Sequence, residues 1–237
     1  LFAHGLGGDR DEVEALFEKT ASVLTREGFN SLRFDFRGNG ASARGHETMT
    51  IAGETNDLRA AADYLRNRDS LPQVVVAASF GALSAVRLAH ERDRRSVIAL
   101  VLWNPVVDVR RTFITPGTTW SRQYINGESL QALGAGASSV SFGDLELGGA
   151  LINEMQDAGL SDRIVDQLAS LSIPTLIFHG TADEKVPYAY AESVARRNPL
   201  IELRPLEGAG HGFVDRHKPV IDDTAQWLAT ITRRLAR

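Results

Sequence analysis

Two rhythms of hydrophobic positions alternate along this chain. Val74, Val75, Val76 and Ala77 form a short unbroken apolar run rich in β-branched side chains. Such a run suits a strand buried on both faces, as in a parallel sheet covered by helices. From Gly81 the spacing turns helical, with Ala82, Val86 and Ala89 on one stripe and Arg87 and Arg92 elsewhere. The pattern repeats on both sides. Residues 1–3 read as the end of a strand. A helix from about Asp11 to Gly28 buries Val13, Leu16, Phe17, Val23 and Leu24. Residues 31–36 read as a second strand, residues 51–67 as a helix with Leu58, Ala61, Ala62 and Leu65 inward, and residues 97–104 as a strand stopped by Pro105. Further on, strands at 175–179 and 201–206 flank a helix at 187–197. A last helix begins near Pro219 and turns Val220, Ala225, Leu228, Ile231 and Leu235 inward. Strands alternating with helices of this length predict βαβ units and a mostly parallel sheet with helices on both faces.

The alternation fails between residues 106 and 172. Glycines recur there without period, and Phe113, Trp120, Tyr124 and Phe142 are scattered among them. Residues 140–142 and 145–147 are candidate short strands, and residues 150–156 a short helix. An unstructured loop of that length is rare inside a compact domain. Residues 106–172 are therefore expected to be an insertion, a lid over a core made of residues 1–105 and 173–237. Its aromatics Trp120, Tyr124 and Phe142 are the candidate walls of a substrate pocket.

Composition narrows the field. A length of 237 residues suits one large domain, and a net charge of −4 offers no electrostatic footprint for nucleic acid. The longest apolar run, residues 97–103, is too short to span a bilayer. With no cysteine there is no disulfide framework, thiol nucleophile or thiolate metal site, and no histidine spacing suggests a metal. No cofactor is expected, and no oligomeric state is set by the sequence. The lack of cysteine suits the cytoplasm. The opening at Leu1 in mid-strand implies missing upstream sequence, so secretion stays open.

The candidate chemistry sits at strand ends. Ser79 lies where the 74–77 strand turns directly into a helix, between Ala77 and Gly81. Two backbones approach closely at such a turn, so its flanks must be small, and the residue at the tip is strained with its side chain held clear of the sheet. An exposed nucleophile needs that geometry, although a serine there could also merely cap the helix. A serine hydroxyl needs a base to take its proton, and the base needs an acid to hold its tautomer. Asp183 and His211 follow the next strands in the order Ser, Asp, His, with Glu184 and His217 as rivals. His179, at a strand end before Gly180, reads as structural. His4-Gly5-Leu6-Gly7 supplies an oxyanion-hole candidate, in which the N–H groups of Leu6 and Phe80 would face the developing charge. The alternative, a phosphate-binding turn, lacks the spacing of either common glycine motif.

Taken together, His4-Gly5, Asp35-Phe36-Arg37-Gly38-Asn39-Gly40-Ala41-Ser42, Ala77-Ala78-Ser79-Phe80-Gly81, the segment from His179-Gly180 to Val186-Pro187, and Gly208-Ala209-Gly210-His211 resemble the α/β-hydrolase superfamily. Within it the chain is most similar to the feruloyl and cinnamoyl esterases, through the 35–42 turn, residues 47–51 and residues 142–149. It departs from them at Ala77-Ala78, where they usually carry Gly-His. The resemblance implies an α/β-hydrolase fold, with Ser79, Asp183 and His211 as the catalytic triad and Leu6 and Phe80 as the oxyanion hole. Asp35 and Arg37 would brace the 35–42 turn. The implied substrate is a small-molecule ester. A thioesterase or peptidase on the same triad, or a hydrolase-fold binding module without turnover, are the alternatives.

Overall fold

The computed structural model describes residues 1–42, 45–92 and 96–235. Among the described residues the main sheet has five parallel strands in the order β1-β2-β3-β6-β7: Phe2–Ala3 (β1), Gln73–Ala78 (β2), Val97–Trp103 (β3), Thr175–Gly180 (β6) and Ile201–Leu206 (β7). Alternate residues of each strand serve different layers. Val75, Ala77, Leu100, Leu102 and Ile177 pack under α2 (Ile51–Asp69), α3 (Gly81–Glu91) and α8 (Tyr188–Ala195). Val76, Ala78, Val101, Trp103, Leu176 and Phe178 pack under α1 (Leu16–Arg26) and α9 (His217–Leu235). The central strands β2, β3 and β6 are buried on both faces, which is why they read as continuous apolar runs and not as alternating ones, whereas β7 at the sheet edge is partly exposed.

Two elements differ from the pattern expectation. Residues 31–36 carry no regular secondary structure and form no ladder. One backbone bond, Phe2 N to Leu32 O (3.0 Å), joins the segment to β1. Phe36 N donates instead to His4 Nε2 (3.0 Å), and Arg33 pairs with Asp11. The first helix starts at Leu16 and not near Asp11. Glu12, Glu14 and Ala15 have φ of 60°, 50° and 59°, which leaves only a distorted 3₁₀ turn at Val13–Ala15 before the α-helix, with Val13 exposed. The last helix carries Pro219 in its first turn, as expected, and buries Val220, Ala225, Leu228 and Ile231. Leu235, expected inward, lies outside the described side chains.

Residues 106–172 hold more order than their sequence suggested. They form α4 (Val109–Phe113), α5 (Gly127–Gly134), an antiparallel hairpin of β4 (Ser139–Phe142) and β5 (Leu145–Gly148), α6 (Gly149–Gln156) and α7 (Ala158–Ser170). A third apolar cluster, including Phe113, Phe142, Leu151 and Ile152, joins this segment to Met49, Ile51, Phe80 and Leu83. The segment is also tied down by polar contacts. The Glu154 carboxylate on α6 accepts from the N–H groups of Ile51 and Ala52 at the start of α2, beside the Thr50 hydroxyl that caps Gly53 N.

Beside that cap, Glu54 is buried on α2. Burial, followed by the charges of Asp57 and Glu154, pushes its carboxyl up to about 8 against the opposing pull of Arg37. An unfolded chain releases this proton near the reference ~4.3, so folding is penalised increasingly as the pH rises between the two values. Glu54→Gln should therefore leave stability unchanged near pH 4 and raise it by about 2–4 kcal/mol at pH 7. Thermal melts of both proteins at the two pH values check this. An equal shift at both would mean that Glu54 does not titrate between them.

Candidate active site

β2 ends at Ala78, and α3 begins three residues later at Gly81. Ser79 occupies the turn with φ 48°, a left-handed conformation that costs a non-glycine residue of order 1–3 kcal/mol. The backbone pins it there: Ser79 N donates to Trp103 O (2.8 Å) and Ser79 O accepts from Val106 N (3.0 Å). Glycine is required at Gly81, where a Cβ would run into the carbonyls of Ala3 and His4, and a Cβ on Gly5 would be tight, within 3.2 Å of Ser79 Cβ. Ala77, in place of the usual glycine, is accommodated with its methyl fully buried.

From that turn a row of hydrogen bonds crosses the carboxyl ends of the strands. Ser79 Oγ lies 3.0 Å from His211 Nε2, and His211 Nδ1 lies 2.8 Å from Asp183 Oδ2. A carboxylate can only accept, so Nδ1 carries the proton and Nε2 is left free to accept from Ser79. The other oxygen of Asp183 accepts from the N–H groups of Lys185 and Val186, each at 2.9 Å. Burial pushes the Asp183 carboxyl up. Hydrogen bonds from His179 and His211, the charge of His211 and the Val186 N–H together outweigh burial and hold it well below the usual carboxylate range. The Asp183 carboxylate is thus held in its charged form behind His211.

The rivals are placed elsewhere. Glu184 is exposed, and His217 Nε2–H donates to Gly212 O (2.9 Å). His179, read from sequence as structural, is fully buried; its Nε2–H donates to Val186 O (2.9 Å) and lies 3.4 Å from Asp183 Oδ2. Its position four residues before Asp183 was the one available hint of that contact.

The glycine-rich loop after β1 closes the other side. His4 is buried and neutral, since burial lowers its pKa; its Nδ1–H donates to Gly5 O (2.8 Å) and its Nε2 accepts from Phe36 N. Gly5 N donates to Glu12 Oε1 (2.6 Å). Glu12, which the sequence did not single out, thus orients the loop, and its own strained φ is the cost of reaching it. Among the described residues the N–H groups of Leu6 and Phe80 have no backbone acceptor. Asp35 and Arg37 brace the 35–42 turn as anticipated. The Asp35 carboxylate accepts from Arg10 N and Ala41 N, and Arg37 forms a forked pair with Asp57 at 2.9 and 2.6 Å.

These groups open into a cavity of about 340 Å³ lined by Leu6, Ser79 and His211 and walled by Phe113, Trp120, Tyr124 and Phe142. The four rings form one packed cluster, with Phe142 5.0 Å from Trp120 and 4.7 Å from Tyr124 between centroids. Leu145 of the hairpin rests against Gly7, where any Cβ would collide with it. Among the described residues no cluster of His, Asp or Glu could hold a metal ion, and no helix is long and apolar enough to cross a membrane. A serine hydroxyl, an imidazole of defined tautomer, a carboxylate behind it and an aromatic-walled cavity in front are an arrangement able to attack an electrophilic carbon.

Known proteins resemble this chain throughout its length. It is 24% identical over 229 residues to the AB hydrolase superfamily protein YisY of Bacillus subtilis, covering 87% of this chain and 84% of that one. It is also 24% identical to the alpha/beta hydrolase domain-containing protein aho-3 of Caenorhabditis elegans, of which it spans about half, 54%. Among solved structures, Est1E of Butyrivibrio proteoclasticus with ferulic acid bound superposes with a TM-score of 0.80 at 22% identity, over 100% of this chain and 88% of that one. That likeness extends the α/β-hydrolase fold over the whole chain, the 31–36 segment and the hairpin included. The sequence signature of the alpha/beta hydrolase family matches residues 1–223, and this chain belongs to that family.

Proposed function

We propose that this protein is a serine hydrolase that cleaves carboxylic esters through an acyl-enzyme on Ser79. The observation that carries the reading is the single hydrogen-bonded row Asp183–His211–Ser79 opening into an aromatic-walled cavity. Ser79 Oγ attacks the ester carbonyl while His211 Nε2 takes its proton, and Asp183 stabilises the resulting imidazolium. The N–H groups of Leu6 and Phe80 receive the negative charge that forms on the carbonyl oxygen. His211 then returns the proton to the departing alcohol. Water, deprotonated by the same nitrogen, releases the acid and restores Ser79. Labelling of Ser79 by a small fluorophosphonate, read by peptide mass spectrometry beside an ester-substrate screen, tests the reading. An unlabelled Ser79 in folded protein would overturn it.

The substrate we favour is an aryl-bearing ester of the feruloyl or cinnamoyl kind. Residues 106–172 act as the lid over a core of residues 1–105 and 173–237. Its last helix, α7, packs on α3 and α8 through Leu168 and so fastens the lid to that core. Flat aromatic walls and a cavity of this size suit a phenylpropenoyl group. Truncating Trp120, Tyr124 or Phe142 to alanine should change the kcat/KM ratio between a cinnamoyl ester and an acetyl ester about tenfold for a true wall residue. Steady-state kinetics on the two esters measure this. If all three variants kept the wild-type ratio, specificity would reside on the core loops.

A further inference from the structure

One charged side chain in the cavity is not accounted for by the ester chemistry. Lys185 follows Asp183 by two residues, and its backbone N–H is held by the Asp183 carboxylate at 2.9 Å. That bond fixes where the side chain starts. The ammonium comes to rest 5.3 Å from the centroid of the Trp120 ring, on the wall of the cavity that holds Ser79 and His211. It is the only lysine or arginine among the cavity-lining residues. Lys185 is half-buried, and among the described residues no carboxylate lies within 4.0 Å of its Nζ. Elsewhere on the surface, cations are commonly paired, as Arg37 is with Asp57 and Arg204 with Glu202 and Asp223.

The anions nearby are already committed. Both oxygens of Glu12, the one carboxylate lining the cavity, accept backbone N–H groups, from Gly5 and from Val13. Asp183 is saturated by His211 and the two backbone donors. Tyr124, on the same wall, has a hydroxyl that makes no hydrogen bond among the described residues. A partly desolvated ammonium over an aromatic face, with a free phenol on the same wall, is an anion-receiving arrangement at the aromatic side of the chamber.

Resting on the ester-hydrolase reading, we infer that Lys185 is a specificity-determining residue that selects esters carrying a carboxylate remote from the scissile carbonyl. The carboxylate pairs with Nζ while the ester carbon meets Ser79 Oγ. The substrate class is thus half-esters of dicarboxylic acids, or aryl esters bearing a carboxylate on the ring.

The test compares matched pairs that differ only in charge. Monomethyl succinate, monomethyl glutarate and methyl 3-(4-carboxyphenyl)propanoate are each set against the corresponding carboxamide. The wild type should favour the carboxylate in the pair of best-fitting length by about tenfold in kcat/KM, the size expected of a charge-assisted hydrogen bond. Raising the salt should shrink that preference. Lys185→Gln should abolish it, Lys185→Glu should reverse it, and Lys185→Arg should keep most of it. Calorimetric binding of the same six compounds to Ser79→Ala gives a second readout that needs no turnover. Its carboxylate preference should vanish when Lys185→Gln is added. Equal treatment of acid and amide by the wild type in all three pairs would overturn the inference, since a lysine serving a neutral oxygen makes no such distinction. Survival of the preference in Lys185→Gln would do the same. Failure of the ester-hydrolase reading looks different: no ester of either charge is cleaved and Ser79 resists fluorophosphonate, while the calorimetric comparison still decides Lys185.

Discussion

Ser79→Ala should lower kcat on its best ester by at least ~10³-fold while leaving the fold intact. The substitution removes one oxygen. That oxygen is the atom 3.0 Å from His211 Nε2 and, among the described residues, the one cavity hydroxyl hydrogen-bonded to a histidine. What keeps the turn in shape is backbone, namely Ser79 N to Trp103 O and Val106 N to Ser79 O, and alanine preserves both bonds. Alanine at φ 48° also bears about the strain serine did. The thermal midpoint should therefore stay within a few degrees of wild type while turnover collapses. The N–H groups of Leu6 and Phe80 would remain to polarise a bound carbonyl, so a residual rate above that in water is expected. Retention of a tenth of wild-type activity would remove Ser79 from the reaction.

The second large effect belongs to Asp183. Its Oδ1 accepts from two backbone N–H groups, so an asparagine at this position must put its carbonyl oxygen there. The amide NH2 then faces His211 Nδ1, and that nitrogen can only accept. The proton of His211 is forced onto Nε2, facing a serine hydroxyl whose proton it can no longer take. Asp183→Asn should cost about 10³–10⁴-fold in kcat through this tautomer change and the lost negative charge. Glu184→Gln, one residue on, should stay within about twofold, because Glu184 is exposed and takes no part in the row. Single-turnover kinetics on both variants make the comparison, and exchanged outcomes would transfer the acid's role to Glu184.

Much of this could be read from the sequence because the relevant signals are local. The 74–77 run, the change to helical spacing at Gly81 and the small residues around Ser79 describe a strand, a helix and the turn between them, and all three are observed. Asp183 and His211 lie shortly after strands β6 and β7, which in a parallel sheet brings them to the same edge as Ser79. Trp120, Tyr124 and Phe142 could be named as candidate pocket walls, but as aromatics without period they gave no sign of how their rings pack on one another.

The remainder depended on what the chain meets in three dimensions. Residues 31–36 have the composition of a strand, yet they meet β1 through the one backbone bond from Phe2 N to Leu32 O and form no ladder. Helix α7 went unnoticed although Leu160, Ile164 and Leu168 recur at fourfold spacing after Asp157, a capping residue; its stripe was masked by the irregular sequence before it. Glu12 gave no sign of its task, because its partner Gly5 is seven residues away across a loop whose path depends on the packing of β1 against α3. The sequence alone determined which residues carry reactive groups and which strand ends display them, since periodicity and turn chemistry are properties of neighbours along the chain. Only the tertiary structure decided that His211 and not His217 meets Ser79, that His179 lies against Asp183, and that the Lys185 ammonium rests over Trp120 on the wall of the cavity. Those outcomes turn on distances between segments far apart in sequence, which the packing of the helices on the sheet sets.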